Sequence, residues 1–272
     1  MSRLTGKVVA VTGGARGIGE AIAGALATEG ARVAVGDVDA ALAESSARLY
    51  GGIGLPLDVR SAGSFAGFLD KVEAELGPID ALVNNAGIMV IGRHLEVPLE
   101  HQLRQLDVNL RGVVLGCHTV APRMIARGGG RIINIASVAG RIPTPGTAVY
   151  SATKVAVQAY SEALDGELRG QGVRVSAVLP AFTRTALIDG TTAPKASPPI
   201  EPEAVAQAVV ALLRRYRATA IVPKRAALGV AQWALLPAPA KNWISRRIGL
   251  DTMFTDFDHS ARADYERRTT SD

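Results

Sequence analysis

The side chains of Tyr150 and Lys154 form a pair that could move a proton. They lie four residues apart in a run with helical character, residues 149–156, so both project from one face of the helix. A phenol ordinarily titrates near pH 10, but a cation about 4 to 5 Å away, at an effective dielectric of about 20, stabilises phenolate by roughly 3 to 4 kcal/mol. We therefore predict that Tyr150 titrates near neutral pH and serves as a general acid and base. The pair alone is also compatible with an ordinary exposed helix face.

A glycine-rich turn near the N-terminus is typical of a phosphate-binding site. Residues 12–19, TGGARGIG, separate a β-branched run from a stretch with helical periodicity. In such a strand–turn–helix unit, Gly13 permits the tight turn, Gly17 lets backbone N–H groups approach a pyrophosphate, and Gly19 lets the helix pack on the strand. The helix N-terminus supplies a positive field for the phosphates. The turn therefore predicts a bound dinucleotide.

An acid follows the second predicted strand. Asp37 comes directly after residues 32–36, RVAVG, and lies eighteen positions beyond Gly19. At this distance a dinucleotide-binding fold places the carboxylate that binds the adenosine ribose hydroxyls, and a carboxylate there repels a 2′-phosphate. Asp37 thus favours NAD over NADP, although Arg16 could meet a phosphate. Asp37 could instead be an ordinary acid in a turn before Asp39, which would cap the next helix.

With these features in place, the chain resembles the short-chain dehydrogenase/reductase family over about residues 5–223. The motifs occur in that family's order: residues 12–19, Asp37, Asp58-Val59, Asn84-Asn85-Ala86-Gly87, Asn109, Ser137, Tyr150 and Lys154. The resemblance implies an α/β fold with one Rossmann-type, doubly wound sheet of about seven parallel strands flanked by helices. We expect a cofactor-binding and catalytic domain over residues 1–223 and a C-terminal extension over residues 224–272.

The resemblance also implies a catalytic set of four residues. Ser137, which follows the predicted strand 131–136, would hold the substrate oxygen while Tyr150 transfers the proton. Lys154 would lower the pKa of Tyr150 and bind the nicotinamide ribose. Asn109 would bind a water that links Lys154 to solvent.

The family's cofactor contacts can be placed on matching residues. Asp58 and Val59 would flank the adenine, and the small residues 85–87 would let the cofactor lie against the backbone. Pro180, Thr183 and Thr185 would close over the nicotinamide, although the family's usual Pro-Gly is Pro-Ala here. Structural alternatives remain: Asp58 could cap a helix, and Asn84 and Asn85 could stabilise a turn. The implied contacts are Gly13, Arg16, Gly17, Ile18, Gly19, Asp37, Asp58, Val59, Asn85, Ala86, Gly87, Tyr150, Lys154, Pro180, Thr183 and Thr185.

The segment of residues 183–199 is rich in Thr, Pro and Ala, and the resemblance implies that it forms a lid over the substrate. Its apolar members Leu187 and Ile188, together with Ile142 and Val90, favour a hydrophobic substrate. The same residues could equally be packing residues.

The C-terminal extension departs from the family pattern. Its apolar stretch, residues 228–240, is too short and too broken by proline to span a bilayer. Residues 228–247 carry two tryptophans beside lysine and arginine, as in a peripheral membrane-surface segment. A subunit contact or a cover over the pocket would show the same pattern. The extension also resembles those of family members that act on steroid-like, retinoid-like or lipidic alcohols and ketones.

Composition narrows the class of protein. The chain has 272 residues, 48% of them hydrophobic, with strand and helix signals throughout and no linker, so we expect one large core. The basic residues behind the net charge of +5 are spread along the chain, which indicates a solvated surface and no nucleic-acid partner. One cysteine and an N-terminus without a signal-peptide pattern predict a cytoplasmic location. The four histidines lack metal-ligand spacing, and we expect no metal.

These observations predict an NAD(H)-dependent oxidoreductase for a hydrophobic secondary alcohol and its ketone. Two alternatives stay open: an NADPH-dependent 3-oxoacyl thioester reductase and a non-catalytic dinucleotide-binding sensor. The resemblance implies a homodimer or homotetramer, built through the helices that contain residues 98–126 and 148–170.

Overall fold

The β-branched runs of the sequence form a seven-stranded parallel sheet in the computed structural model, which describes residues 4–194 and 198–270. The strands are β1 (Val8–Thr12), β2 (Arg32–Asp37), β3 (Ile53–Pro56), β4 (Ala81–Asn84), β5 (Gly130–Ile135), β6 (Val173–Pro180) and β7 (Thr219–Val222). Their order is β3-β2-β1-β4-β5-β6-β7, and every neighbouring pair is parallel. The prediction of a doubly wound sheet of about seven parallel strands is confirmed.

Helices cover both faces of this sheet. They are α1 (Gly17–Thr28), α2 (Ala40–Arg48), α3 (Ala62–Leu76), α4 (Leu99–Leu106), α5 (Gly112–Ala126), α6 (Ala148–Leu168), α7 (Pro202–Arg214), α8 (Ala226–Leu235), α9 (Ala238–Ile248) and α10 (His259–Thr270). Side chains of α3, α5 and α6 form one core on one face, and those of α1, α2 and α7 form a second core on the other. Successive residues of β1 alternate between the two cores, because side chains of a strand point to opposite faces in turn.

The strand order reverses beside β1, and this reversal positions a binding crevice. From β1 the chain winds outward through β2 to β3, then crosses back to pair β4 with the other edge of β1. In such sheets the crevice opens at the carboxyl ends of the strands around the reversal. The glycine turn after β1 and the residues that follow β4 therefore meet at one edge.

The C-terminal extension returns to this same edge. Two glycines with positive φ allow its backbone to come close. A Cβ on Gly146 would lie 2.4 Å from the carbonyl oxygen of Phe254, and one on Gly190 would lie 2.3 Å from that of Asp258. No helix within residues 4–194 and 198–270 is both long enough and apolar enough to cross a bilayer.

Candidate active site

A cavity of about 950 Å³ opens at the carboxyl ends of the strands. It extends from the glycine turn and Asp37 at one end to Tyr150 and the C-terminal extension at the other. Every cofactor-binding or catalytic residue predicted from the sequence lines this cavity, except Asn109. Asn109 is fully buried directly behind the wall, where a Cβ on Gly87 would lie 3.3 Å from its Oδ1.

The glycine turn is built as the sequence predicts. Gly13 has a φ of +60°, and a Cβ there would lie 2.7 Å from the Cα of Ala86. A Cβ on Gly19 would lie 2.1 Å from the carbonyl oxygen of Gly13, so only glycine lets α1 start this close to β1. Within the described chain, α1 has no side chain that caps its N-terminus. Its first N–H groups are thus free for an anion, and the cradle fits a dinucleotide pyrophosphate.

The acid at the end of β2 lies beside this turn. One oxygen of Asp37 is 3.4 Å from the amide nitrogen of Ala15 and the other accepts a hydrogen bond from the amide of Asp39. Asp39 also caps α2 and pairs with Arg16 at 3.1 Å. The cation that could have met a 2′-phosphate is therefore held by a neighbouring acid.

The carboxylate of Asp58 makes hydrogen bonds that the sequence does not predict. Arg60 binds both of its carboxylate oxygens at 2.9 to 3.1 Å, and these hydrogen bonds hold the pKa of Asp58 below its ordinary value. The pair lines the cavity with Val59 and Ile18. Any contact of Asp58 with an adenine amine must share its oxygens with Arg60.

The turn after β4 is fixed by hydrogen bonds to β1. Asn85 donates from its side chain to the carbonyl oxygens of Thr12 and Gly13, and the amides of Asn85 and Ala86 both donate to the hydroxyl of Thr12 at 3.0 Å. Asn84 points away from the cavity and donates to Asn134 in the core. Asn84 therefore has a structural role, whereas residues 85–87 form the floor of the cavity.

Burial shifts the pKa values of Tyr150 and Lys154. Both Tyr150 and Lys154 are buried on α6, and the ammonium lies 5.7 Å from the centre of the phenol ring. Burial raises the pKa of Tyr150 above its ordinary value; a hydrogen bond with Ser137 lowers it in part, and the nearby Tyr265 raises it. The prediction of a lowered phenol pKa is wrong for this structure, because desolvation by burial is the largest influence on the phenol. The raised pKa favours the protonated phenol at neutral pH.

The pKa of Lys154 is shifted in the opposite direction. Burial lowers the pKa of Lys154 to about 8, while its ammonium donates to the carbonyl oxygen of Ile135 at 2.9 Å.

Asn109 lies in a π-helical turn between α4 and α5, and its side-chain amide makes hydrogen bonds with the backbone N–H and the carbonyl oxygen of Ile88, both at 2.8 Å. Those two hydrogen bonds compensate for the unfavourable helix propensity of Asn within a helical segment.

The segment after β6 lines the cavity. Pro180 ends the strand, and Thr183 and Thr185 line the wall beyond it. A Cβ on Gly17 would lie 3.3 Å from the methyl group of Thr185, so this segment reaches the glycine turn. The base of the predicted lid is closed by a bridge between Thr183 and Ile200; within the lid, residues 195–197 lie outside the described residues.

The end of the cavity beside Tyr150 has an apolar wall that the sequence only partly predicts. Ile142, Leu187 and Ile188 line it, but Val90 instead lines a smaller neighbouring cavity. Further apolar lining comes from Phe182 and, in the C-terminal extension, from Ile248, Leu250, Met253 and Phe254. Three side chains of α10 add polar groups to this lining: Tyr265, Arg268 and Thr269.

Sequence reasoning did not identify two further residues near the site, Arg262 and Tyr265. Arg262 is fully buried, and Tyr265 is 7% exposed. An arginine and a tyrosine in a polar C-terminal helix carry no periodic signal that separates them from surface residues. Their roles depend on the return of the extension to the sheet edge, which a local pattern does not encode.

Cys117 is the one cysteine of the chain, and it faces the core from α5. Burial raises the pKa of its thiol to about 12. The thiol is therefore protonated and is no nucleophile at neutral pH.

Comparison with known proteins agrees with this geometry. The short chain dehydrogenase family profile matches residues 7–196. The chain is 42% identical to D-threitol dehydrogenase of Mycolicibacterium smegmatis over 190 residues, which is 68% of this chain and 73% of that protein. It is 36% identical to ketoacyl reductase HetN of Nostoc sp. over 230 residues, which is 82% of this chain and 80% of that protein.

A solved structure shares the fold. The crystal structure of a short-chain type dehydrogenase/reductase from Mycobacterium marinum aligns with a TM-score of 0.73 and 29% identity, over 80% of this chain and 94% of that one. The family profile ends before β7 and the C-terminal extension, so the match applies to strands β1 to β6 and the glycine cradle. On the strength of that match, the chain belongs to the short-chain dehydrogenase/reductase family and is an NAD(P)-binding oxidoreductase that acts on CH–OH groups.

Proposed function

We propose that the protein is an NAD(H)-dependent oxidoreductase that interconverts a hydrophobic secondary alcohol and its ketone. The observation that carries this proposal is the apolar wall facing Tyr150, to which the C-terminal extension contributes Met253 and Phe254. One similar protein is named for threitol, a small polyol. An apolar wall gives little compensation for the hydroxyls of a polyol, so the candidates are steroid-like, retinoid-like or lipidic compounds.

The chain's own residues have distinct roles in this reaction. A bound nicotinamide would supply or accept the hydride. We assign to Tyr150 the proton that moves to or from the substrate oxygen, because its phenol is protonated, buried and hydrogen-bonded to Ser137. We assign to Ser137 a hydrogen bond to that same oxygen. Lys154 and the Asn109–Ile88 contact would hold the ribose side of the cavity in place.

The choice of NAD is tested at Asp37. Replacing Asp37 by Asn keeps a hydrogen-bond acceptor but removes the charge that would repel a 2′-phosphate. We expect affinity for NADH to fall roughly tenfold and affinity for NADPH to rise, because a bond to a charged group contributes about 1.5 to 3 kcal/mol. Parallel fluorescence titrations of NADH and NADPH on both proteins measure this change. Glu44→Gln, an exposed change on α2 outside the cavity, is the matched control.

The titration also separates the alternatives. Tighter binding of NADPH by the wild type would contradict the NAD assignment and favour a 3-oxoacyl thioester reductase; the similar protein HetN is named a ketoacyl reductase. A non-catalytic sensor would bind NADH and oxidise no alcohol. The paired Arg16 and the carboxylate at Asp37 are the features that favour NAD.

Two exposed apolar surfaces point to different contacts. The helices α4 and α6 contact each other and expose apolar side chains, Leu99 and Leu103 by 64% and 50% and Val155 by 44%. We propose this pair of helices as a contact between copies of a homodimer or homotetramer. The second surface, residues 224–250, includes α8 and α9. It exposes Leu235 and Trp243 by 86% and 62%, and it carries five basic residues and no acidic one.

We propose that residues 224–250 bind an anionic membrane surface of the cytoplasm. A two-fold contact would set these five cations against an identical set, which is unfavourable, whereas anionic lipid is complementary. Trp243 with Arg247 stacked 5.4 Å from its ring is suited to the headgroup region. Ile248 and Leu250, at the end of this surface, line the substrate cavity, so docking would bring the cavity mouth to the source of an apolar substrate.

Vesicle binding tests this surface. We expect the protein to sediment with phosphatidylcholine vesicles that contain phosphatidylglycerol and to be released by salt. Trp243→Ala should weaken binding at least tenfold, because burying a large apolar side chain contributes about 1.5 to 3 kcal/mol. Leu95→Ser, at an equally exposed leucine elsewhere, should have no effect. If Trp243→Ala changes the oligomeric mass in sedimentation velocity instead, the surface is a subunit contact and the membrane proposal is wrong.

A further inference from the structure

Hydrogen bonds of Arg262 connect the C-terminal helix α10 to the walls of the substrate cavity. This is the largest fully buried side chain of the described residues. Its guanidinium donates to the carbonyl oxygens of Leu187 and Asp189 at 2.9 and 3.1 Å, and to that of Met89. A buried guanidinium is costly unless its donors are satisfied. Here the two terminal nitrogens find acceptors in the predicted lid and in the segment after β4, while Nε lies 3.4 Å from the carboxylate of Glu266 and makes no hydrogen bond among the described residues. One side chain therefore joins α10 to both walls of the cavity.

Tyr265 lies one helical turn beyond Arg262 and faces the cavity. Its ring packs 4.6 Å from the guanidinium carbon of Arg262, and its hydroxyl oxygen accepts the amide of Met89 at 2.8 Å. The amide and carbonyl of Met89 are therefore both bound by α10. Among residues 4–194 and 198–270, the hydroxyl proton of Tyr265 has no acceptor. A buried hydroxyl ordinarily uses its donor.

Backbone packing supports a permanent position for this helix. The amide of Asp258, just before α10, donates to the carbonyl oxygen of Gly190 at 2.8 Å. A side chain at Gly190 or at Gly146 would collide with the extension, so glycine is required at both contacts. Gly146 lies two residues before the start of α6, the helix that carries Tyr150.

Building on the proposed function, we propose that α10 forms the outer wall of the substrate site, with Tyr265 as a substrate-binding residue and Arg262 as a positioning residue. Ser137 and Tyr150 would take the reacting oxygen. The hydroxyl of Tyr265 would donate to a second oxygen of the substrate, at the part of the wall that α10 forms. The substrate class is then an apolar ketone or alcohol that carries a second hydrogen-bond acceptor.

Two ketones of matched shape test the role of Tyr265. Calorimetric titration with trans-decalin-1,5-dione and trans-1-decalone, with and without NAD⁺, which cannot reduce a ketone, should show about three- to tenfold tighter binding of the dione, the free energy of one hydrogen bond. Tyr265→Phe should remove that preference and leave the affinity for the monoketone and for NADH unchanged. Equal affinities in the wild type, or no binding of either ketone, would overturn the role of Tyr265. A wild type that binds the dione more tightly but does not bind NADH would instead contradict the proposed function.

Hydrogen exchange tests the role of Arg262. In Arg262→Met we expect amides of residues 186–190 and 259–270 to exchange at least tenfold faster, while the strands of the sheet keep their protection. Arg267→Met, at an exposed position of the same helix, is the control. If Arg262→Met does not fold, Arg262→Lys should fold and show an intermediate increase, because one ammonium cannot reach three carbonyl oxygens. Wild-type exchange rates in the folded variant would show that Arg262 does not hold α10.

Discussion

Tyr150→Phe is expected to reduce kcat by roughly 10²- to 10⁴-fold, the range attributed to a positioned acid or base. Phe keeps the ring that fills the wall of the cavity but lacks the proton. Because the phenol is 7% exposed and lies within a hydrophobic cluster, the variant should retain its fold. NADH affinity should change by less than about threefold, since the predicted cofactor contacts other than this hydroxyl are intact.

The matched control is Tyr160→Phe, on the same helix but outside the cavity. It should keep wild-type kcat. Turnover by Tyr150→Phe close to that of the wild type would disprove the assigned acid–base role. Loss of both NADH binding and turnover would show that the hydroxyl supports the structure of the cavity rather than the chemical step.

The parts of the site that the sequence predicts are those built by local segments. The turn after β1 needs glycine at residues 13 and 19 because neighbouring backbone lies within 2.1 to 2.7 Å of any added Cβ. Such a requirement shows in the sequence as a fixed spacing. The same holds for Tyr150 and Lys154, which share one helix and therefore one face. The strands predicted at residues 32–36 and 131–136 differ from β2 and β5 by no more than one residue at each end.

The pKa of Tyr150 was not predictable from spacing. A calculation with one cation and a moderate dielectric omits desolvation, which depends on what covers the phenol. In the folded chain Met253 and Phe254 pack beside it. These residues lie about a hundred positions further along the sequence, and no local pattern brings them there.

The C-terminal extension shows the same limit. Its sequence is compatible with a cover, a subunit contact or a membrane contact, and its elements differ in exposure. Arg262 and Tyr265 on α10 are buried against the cavity, whereas Leu235 on α8 and Trp243 on α9 are open to solvent. We therefore propose that the alternatives derived from the sequence apply to different parts of the extension, the cover to α10 and the membrane contact to residues 224–250.

Lys154→Met is expected to lower kcat on the order of 10²-fold or more and, separately, to change how stability depends on pH. Burial lowers the pKa of Lys154 from 10.5 to about 8, so between these values the unfolded chain binds a proton that the folded chain does not. Stability rises with pH where the unfolded state binds more protons. The free energy of unfolding of the wild type should therefore increase relative to that of the variant as the pH rises from about 8 towards 10.5. The total increase should be about 2 to 3 kcal/mol.

Urea unfolding of both proteins at several pH values measures this difference. Taking the difference removes the other titrating groups, since they are common to both chains, and Lys71→Met at an exposed site on α3 should show no such trend. A constant difference between wild type and Lys154→Met would mean that Lys154 titrates normally in the folded protein. The ammonium would then be accessible to water, and the buried Lys154–Ile135 contact would not be the native arrangement. A rising difference together with lost turnover would show that the folded protein carries a costly buried lysine at the position where the proposed reaction requires one.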